Sequence, residues 1–165
     1  MWKSPAVRIG LLVGLMTVVV MFCFYLVDNS WAYRVSLRGG VMLIYLIGMI
    51  KAGQSIVKAE PNQDFRFIIR PIFVVFLVAN LIYFVYYYLL FNVIDPDLVA
   101  GQKAYFLQMA ASHGQITEEN RQVFLQETMQ GELTSARAVL YNYASGAIGG
   151  FALSAALAFV LKRLY

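Results

Sequence analysis

The chain has 165 residues, of which 61% are hydrophobic and only 13% are charged, and its formal net charge is +4. A water-soluble domain carries about 25% charged residues, so this composition excludes an ordinary soluble protein and favours a chain surrounded by lipid. The positive charges form no single basic stripe, and nucleic-acid binding is therefore not expected. The single cysteine, Cys23, cannot form an intramolecular disulfide, and we expect it to be an apolar core residue.

The first apolar segment runs from Ile9 to Val27 and contains no charged residue. It is long enough to cross a hydrocarbon core about 30 Å thick. A cleaved signal peptide is the alternative, because Ser-Trp-Ala at residues 30–32 loosely resembles a cleavage site. The segment exceeds the usual apolar region of about 7–15 residues, so we expect it to remain as a transmembrane helix over residues 9–27.

The second segment is the weakest candidate, since only Gly39–Ile50 is continuously apolar. At 1.5 Å per residue it covers about 18 Å, less than the hydrocarbon core. The flanking Arg38 and Lys51 can snorkel to the two interfaces, or the helix continues to Val57. A re-entrant segment is the alternative. We expect a span over residues 37–57, because the loop charges require an even number of crossings.

The third and fourth apolar segments are clearer. The third span is predicted over residues 71–92, with Pro71 at its start, where the missing N–H group is harmless. Its far end is rich in tyrosine, as in the aromatic belt at a membrane interface. The fourth span is predicted over residues 138–161 and is followed by Lys162 and Arg163.

A polar segment separates these last two spans, and residues 96–131 are predicted to be largely helical. Asp95 and Pro96 have the pattern of an N-cap followed by proline at the first helical position. The first helix is expected to end near Ser112, and Thr117 is expected to cap a second one. The two helices should form a hairpin on the membrane surface or at the end of the bundle.

Loop charge predicts the orientation of the bundle. Eight of the 13 lysine and arginine residues lie on the side that holds both termini, and seven of the nine acids lie on the other side. We therefore expect cytoplasmic termini and an outward-facing segment between spans three and four. The predicted fold class is all-α: residues 1–165 form one integral membrane domain of four transmembrane helices, with an extracytoplasmic helical hairpin between helices 3 and 4.

Two stretches carry a family resemblance. The first, residues 43–98, reads "LIYLIGMIKAGQSIVKAEPNQDFRFIIRPIFVVFLVANLIYFVYYYLLFNVIDPDL", and the second begins at Gly146 with "GAIGGFALSAALAFVLKRLY". They resemble an uncharacterised bacterial four-helix membrane family, domain of unknown function 4199. The resemblance implies a four-span topology in a bacterial cytoplasmic (inner) membrane, chiefly of Bacteroidetes-type hosts. It implies no activity, substrate or catalytic residue.

Small residues recur at helical spacing in the first and fourth spans. Such faces let another helix approach closely, and an amide one turn away can hydrogen-bond across the contact. One interpretation is packing within the bundle, and the other is contact with a partner or a second copy. The spacing is common in membrane helices and does not separate the two. The residues of this predicted face are Gly10, Gly14, Asn142, Gly146, Gly150, Ser154 and Ala158.

Asn80 lies near the middle of the third span. A polar side chain at this depth usually faces the bundle interior, where it hydrogen-bonds another helix or lines a path for a substrate. None of the four predicted spans contains an internal acid, which argues against an ion-coupled carrier.

No residue is predicted to be catalytic or to bind a cofactor or a metal. His113 is the only histidine, and a zinc site there would lack a second histidine or cysteine. The paired acids Asp95 with Asp97, and Glu118 with Glu119, lie at predicted helix starts, where capping explains them.

Three functions remain open. We favour a non-enzymatic inner-membrane accessory or assembly protein that binds another membrane protein, or a second copy, besides the lipid bilayer. The alternative is a small oligomeric transporter or channel-like protein, which would need a sealed pathway lined by Asn80, Asn142 and Ser154. A membrane-embedded lipid enzyme is least favoured, because no polar catalytic cluster is visible.

Overall fold

The structure is a computed structural model that describes residues 4–59, 64–112, 123 and 134–164, apart from the side chains of residues 35–38. Most of these residues are helical, and none of them lies in a strand. The helices are α1 (Pro5–Val27), a 3₁₀ segment (Asn29–Tyr33), α2 (Val35–Ala59), α3 (Phe65–Leu89), a π-helical extension of α3 (Leu90–Ile94), α4 (Leu98–Ser112) and α5 (Ala136–Leu164).

Four of these helical stretches are long and apolar enough to cross a membrane: Pro5–Val27, Gly39–Ala59, Phe65–Ile94 and Ala136–Leu164. Large apolar side chains lie exposed on their outer faces, including Leu12 at 63% and Ile148 at 76% exposure. Extended exposed apolar surface of this kind is typical of contact with lipid. The chain is therefore an all-α, multi-pass membrane protein.

The second span is longer than its continuous apolar run. Helix α2 contains 25 residues and passes through Lys51 and Val57 without interruption. At 1.5 Å per residue it extends about 37 Å, enough to cross the hydrocarbon core. Lys51 is exposed, so its long side chain can reach toward the headgroups.

Helix α3 is the centre of the bundle, since α1, α2 and α5 all pack against it. Its core residues Ile68, Ile72, Val75 and Ala79 are completely buried. They recur every three or four residues and so form one broad apolar face. The helix begins at Phe65, so Pro71 lies inside it rather than at its start, and the missing N–H group leaves one backbone carbonyl without its helical bond.

Helix α1 approaches α3 closely at two glycines. A Cβ atom at Gly10 would lie 2.8 Å from Cβ of Val78, and one at Gly14 would lie 3.1 Å from Cα of Ala79. Neither position leaves room for a side chain. Cys23 on the same helix is exposed, so the expectation of a core cysteine was wrong.

Helix α4 begins at Leu98, two residues later than the proline pattern suggested. Asp95 instead starts the preceding turn, where its carbonyl oxygen accepts from the N–H of Leu98 at 3.3 Å. Its side chain accepts from the hydroxyl of Tyr25 at 3.1 Å, which ties this turn to the end of α1. The expected second arm of the hairpin, with His113, Thr117, Glu118 and Glu119, lies outside the described residues.

Candidate intramembrane binding cavity

Helices α2 and α5 pack together at one end of the bundle. A Cβ atom at Gly53 of α2 would collide with Leu161 of α5, and it would lie 2.8 Å from Cδ1 of Ile72. We call this the closed end. Toward the other end, which carries Gly39 of α2 and Asn142 of α5, a cavity of about 770 Å³ lies between the two helices. We call this the open end.

Four helices enclose the cavity. Helix α3 forms its back wall, α2 and α5 form its sides, and α4 contributes Gln102 and Phe106. Gln102 Nε2 donates to the hydroxyl of Tyr87 at 2.6 Å, which fixes α4 to α3. The remaining lining residues are Val41, Met42, Tyr45, Phe76, Asn80, Tyr83, Phe84, Gly39, Asn142, Gly146, Gly149 and Gly150.

The mouth of the cavity is formed by glycines. Gly39 on α2 and Gly149 on α5 are exposed, and a Cβ atom added at either would have no heavy atom within 4 Å. Gly146 is half-buried, and a Cβ atom there would lie 3.3 Å from Nδ2 of Asn80. The mouth is therefore open at the level of the helix backbones.

Three side chains that line the cavity keep polar atoms without a hydrogen bond among the described residues. They are Nδ2 of Asn80, the hydroxyl of Tyr45 and Oε1 of Gln102, on side chains that are 7%, 3% and 2% exposed. A buried polar group left unpaired costs about 1–3 kcal/mol. The cavity thus offers both donors and an acceptor to an occupant.

Among the described residues that line the cavity, none carries a carboxylate, ammonium, guanidinium or imidazole group. Elsewhere in the described ranges, no three histidine, cysteine, aspartate or glutamate side chains come together as a metal site would require. The walls are aromatic, with the ring of Tyr45 packed edge-on against Phe76 at a centroid distance of 5.8 Å. Such a cavity favours a neutral, largely apolar occupant with a few polar atoms.

The residues of the predicted small-residue face separate into three groups. Asn142, Gly146 and Gly150 line the cavity, together with Asn80 from the third span. Ser154 and Ala158 are completely buried, and Ser154 Oγ donates to the carbonyl oxygen of Gly150 at 2.7 Å. Gly10 and Gly14 lie between α1 and α3.

Sequence reasoning missed several cavity residues, chiefly Tyr45, Gln102 and Phe106. Tyr45 is an isolated tyrosine in an apolar run, and that isolation was a usable signal. Gln102 gave none, because its position depends on α4 folding back over the end of the bundle.

The described residues define a class, namely multi-pass helical membrane proteins with a neutral cavity at one end of the bundle. Within that class, the chain belongs to the family described as protein of unknown function (DUF4199), whose family model matches residues 8–163. The family resemblance seen in the sequence is confirmed. No curated protein and no solved structure matches the chain.

Proposed function

We propose that this chain is a non-enzymatic accessory or assembly protein of the membrane, and that it binds a helix of another membrane protein at the cavity mouth. The observation that carries the proposal is the pair of exposed glycines, Gly39 and Gly149, with open space in front of both backbones. Close approach of helices in lipid depends on small residues, because lipid supplies no hydrophobic drive for association.

A comparison of Gly149 with its neighbour Gly150, which is already packed inside the bundle, supports this choice of surface. A side chain at Gly150 would collide with the ring of Phe76, so that glycine already has its neighbour inside the bundle. Gly149 has none. The partner contact therefore belongs to the glycines at the mouth rather than to the row from Gly150 to Ala158.

The transporter alternative receives less support from the geometry. Asn80 and Asn142 line the cavity, but Ser154 is buried and bonded to the backbone within α5. The contact between Gly53 and Leu161 lies at the closed end. A pathway would have to pass that contact, whereas a docking site needs only the mouth.

The proposed location is a bacterial cytoplasmic (inner) membrane with both termini in the cytoplasm. The support is the basic excess on the side of the termini, and the closed end then lies toward the cytoplasm. In this orientation the cavity lies toward the outer leaflet, and α4 belongs to the proposed extracytoplasmic hairpin.

Site-specific photo-crosslinking in cells tests the proposal. A photoreactive side chain at Met42, 43% exposed and lining the cavity, should capture one defined membrane protein, whereas the same group at Leu43, 63% exposed and outside the cavity, should capture none. Gly149→Leu should abolish copurification of that protein without lowering the melting temperature. Ala152→Leu, at an exposed residue outside the cavity, is the matched control. Equal capture from positions 42 and 43 would refute a docking site at the mouth.

A further inference from the structure

The unpaired polar atoms say more about the occupant than the glycines do. Nδ2 of Asn80 and the hydroxyl of Tyr45 lie on two different walls of one cavity, and neither has a hydrogen-bond partner among the described residues. The hydrocarbon core of a bilayer offers such groups no hydrogen bond, so leaving them unpaired is unfavourable. Acyl chains that fill the cavity would leave this cost in place.

The volume limits how much of a partner can enter. A helix with its side chains is about 10–12 Å wide and rises 5.4 Å per turn, so each turn occupies about 400–600 Å³. The cavity of about 770 Å³ therefore holds one to two turns. The rest of a transmembrane helix would lie along the mouth between Gly39 and Gly149.

Two observations favour a helix over a lipid as the occupant. A flexible acyl chain conforms to side chains of any size, whereas the backbone of a helix approaches closely only where side chains are absent. The exposed glycines at the mouth meet that second requirement. The polar atoms inside also require a partner that brings hydrogen-bonding capacity into the apolar part of the membrane.

The charge of the lining limits the chemistry further. Because none of the described lining residues is ionised, a carboxylate or an ammonium group brought into the cavity would lose its hydration without gaining a counter-ion from them. A neutral amide or hydroxyl avoids this cost and can accept from Asn80. The terminal torsion of an asparagine side chain is soft, so its amide can rotate to meet the incoming group.

We infer that the docked segment is a turn or two of transmembrane helix carrying a neutral amide or hydroxyl side chain, which hydrogen-bonds the amide of Asn80 inside the cavity. The inference rests on the proposed function and names the chemistry of the partner at the same site. In the same cavity Tyr45 supplies a second donor and Gln102 supplies an acceptor.

Designed peptides test this chemistry with a defined probe. The full-length protein is placed in nanodiscs with leucine-rich transmembrane peptides of about 20 residues. The peptides differ at one position in the outer half, which is Asn, Ser, Asp or Leu. Energy transfer between a dye at position 148, an exposed residue outside the cavity, and a dye on the peptide measures binding. The Asn and Ser peptides should bind roughly three- to thirtyfold more tightly than the Leu peptide, in line with measured polar contacts between membrane helices.

The variant Asn80→Leu should abolish that preference while leaving the weaker binding of the Leu peptide unchanged. Circular dichroism checks that Asn80→Leu is folded, and Tyr45→Phe, which removes a single hydroxyl, serves as a milder second variant that should reduce the preference. Equal binding of the Asn, Ser and Leu peptides would overturn the polar inference and leave the docking site standing. Binding of no peptide would overturn the docking site itself. Preference for the Asp peptide would show that the occupant is an acid.

Discussion

The two ends of the bundle use glycine in opposite ways. At the closed end Gly53 lies against Leu161 and Ile72, so the absence of its side chain is what allows α2 and α5 to meet. At the open end Gly39 and Gly149 have nothing in front of them. A glycine in a helix costs about 1 kcal/mol relative to alanine. Packing offsets that cost at the closed end, whereas at Gly39 and Gly149 no contact among the described residues does so.

The largest expected effect is the difference in reporter activity between the two sides of the membrane, because a reporter is either cytoplasmic and active or outside and inactive. A reporter that works only in the cytoplasm should be active when fused after Tyr165 and inactive when inserted near His113. The basic residues beside the termini are the reason. Activity at both insertion points would mean that α5, the candidate span between them, does not cross the membrane, and the assignment of the open end to the outer side would be wrong.

The next largest effect is a difference in stability between substitutions at two glycines of α5, Gly150, which is packed against Phe76, and Gly149, which is not packed. Gly150→Ile should lower the stability by about 1–3 kcal/mol, the usual cost of overpacking, because its side chain would enter the ring of Phe76. Gly149→Ile should leave the melting temperature in detergent unchanged or slightly raised. If both variants melt alike, then α5 does not pack on α3 as described, and the contrast between the two ends fails.

Much of the closed end could be predicted from the sequence, and little of the open end could. Apolar runs predict four spans because burial in lipid depends on composition and length alone. Residues 149 and 150 are both glycine, yet Gly149 faces open space and Gly150 faces the ring of Phe76. Their difference depends on how α5 is rotated against α3, and that rotation is set by the whole contact surface. Asn80 was recognisable because a polar residue deep in a span is rare.

A smaller effect concerns helix α4, which packs over the cavity at the open end through Gln102 and Phe106. Gln102→Leu removes the hydrogen bond from Gln102 Nε2 to Tyr87, a contribution of about 1 kcal/mol. Backbone amides of α4 should then exchange with deuterium faster, while those of α3 should not change. Gln108→Leu, on the exposed face of α4, is the control and should leave exchange as it was. Unchanged exchange in Gln102→Leu would mean that α4 is held at the open end by its other contacts.

The smallest effect lies beside the open end, where α1 gives way to the 3₁₀ segment. The N–H and the hydroxyl of Ser30 both donate to the carboxylate of Asp28 at 2.9 Å, and these bonds lower the pKa of Asp28 below its ordinary value of 3.8. Because the folded pKa is the lower one, the stabilisation is fully present above the unfolded value and is lost as the pH falls through the folded value.

Acidification should therefore loosen the 3₁₀ segment only below about pH 4, the ordinary aspartate value. Trp31 reports on it, since its ring stacks on Phe24 at a centroid distance of 5.0 Å. In a Trp2→Phe background, the fluorescence of Trp31 should stay constant from pH 7 to about pH 4 and change below that. Asp28→Asn should show the loosened signal at neutral pH and no acid transition. A transition near pH 6 in the parent would instead assign the change to a group other than Asp28.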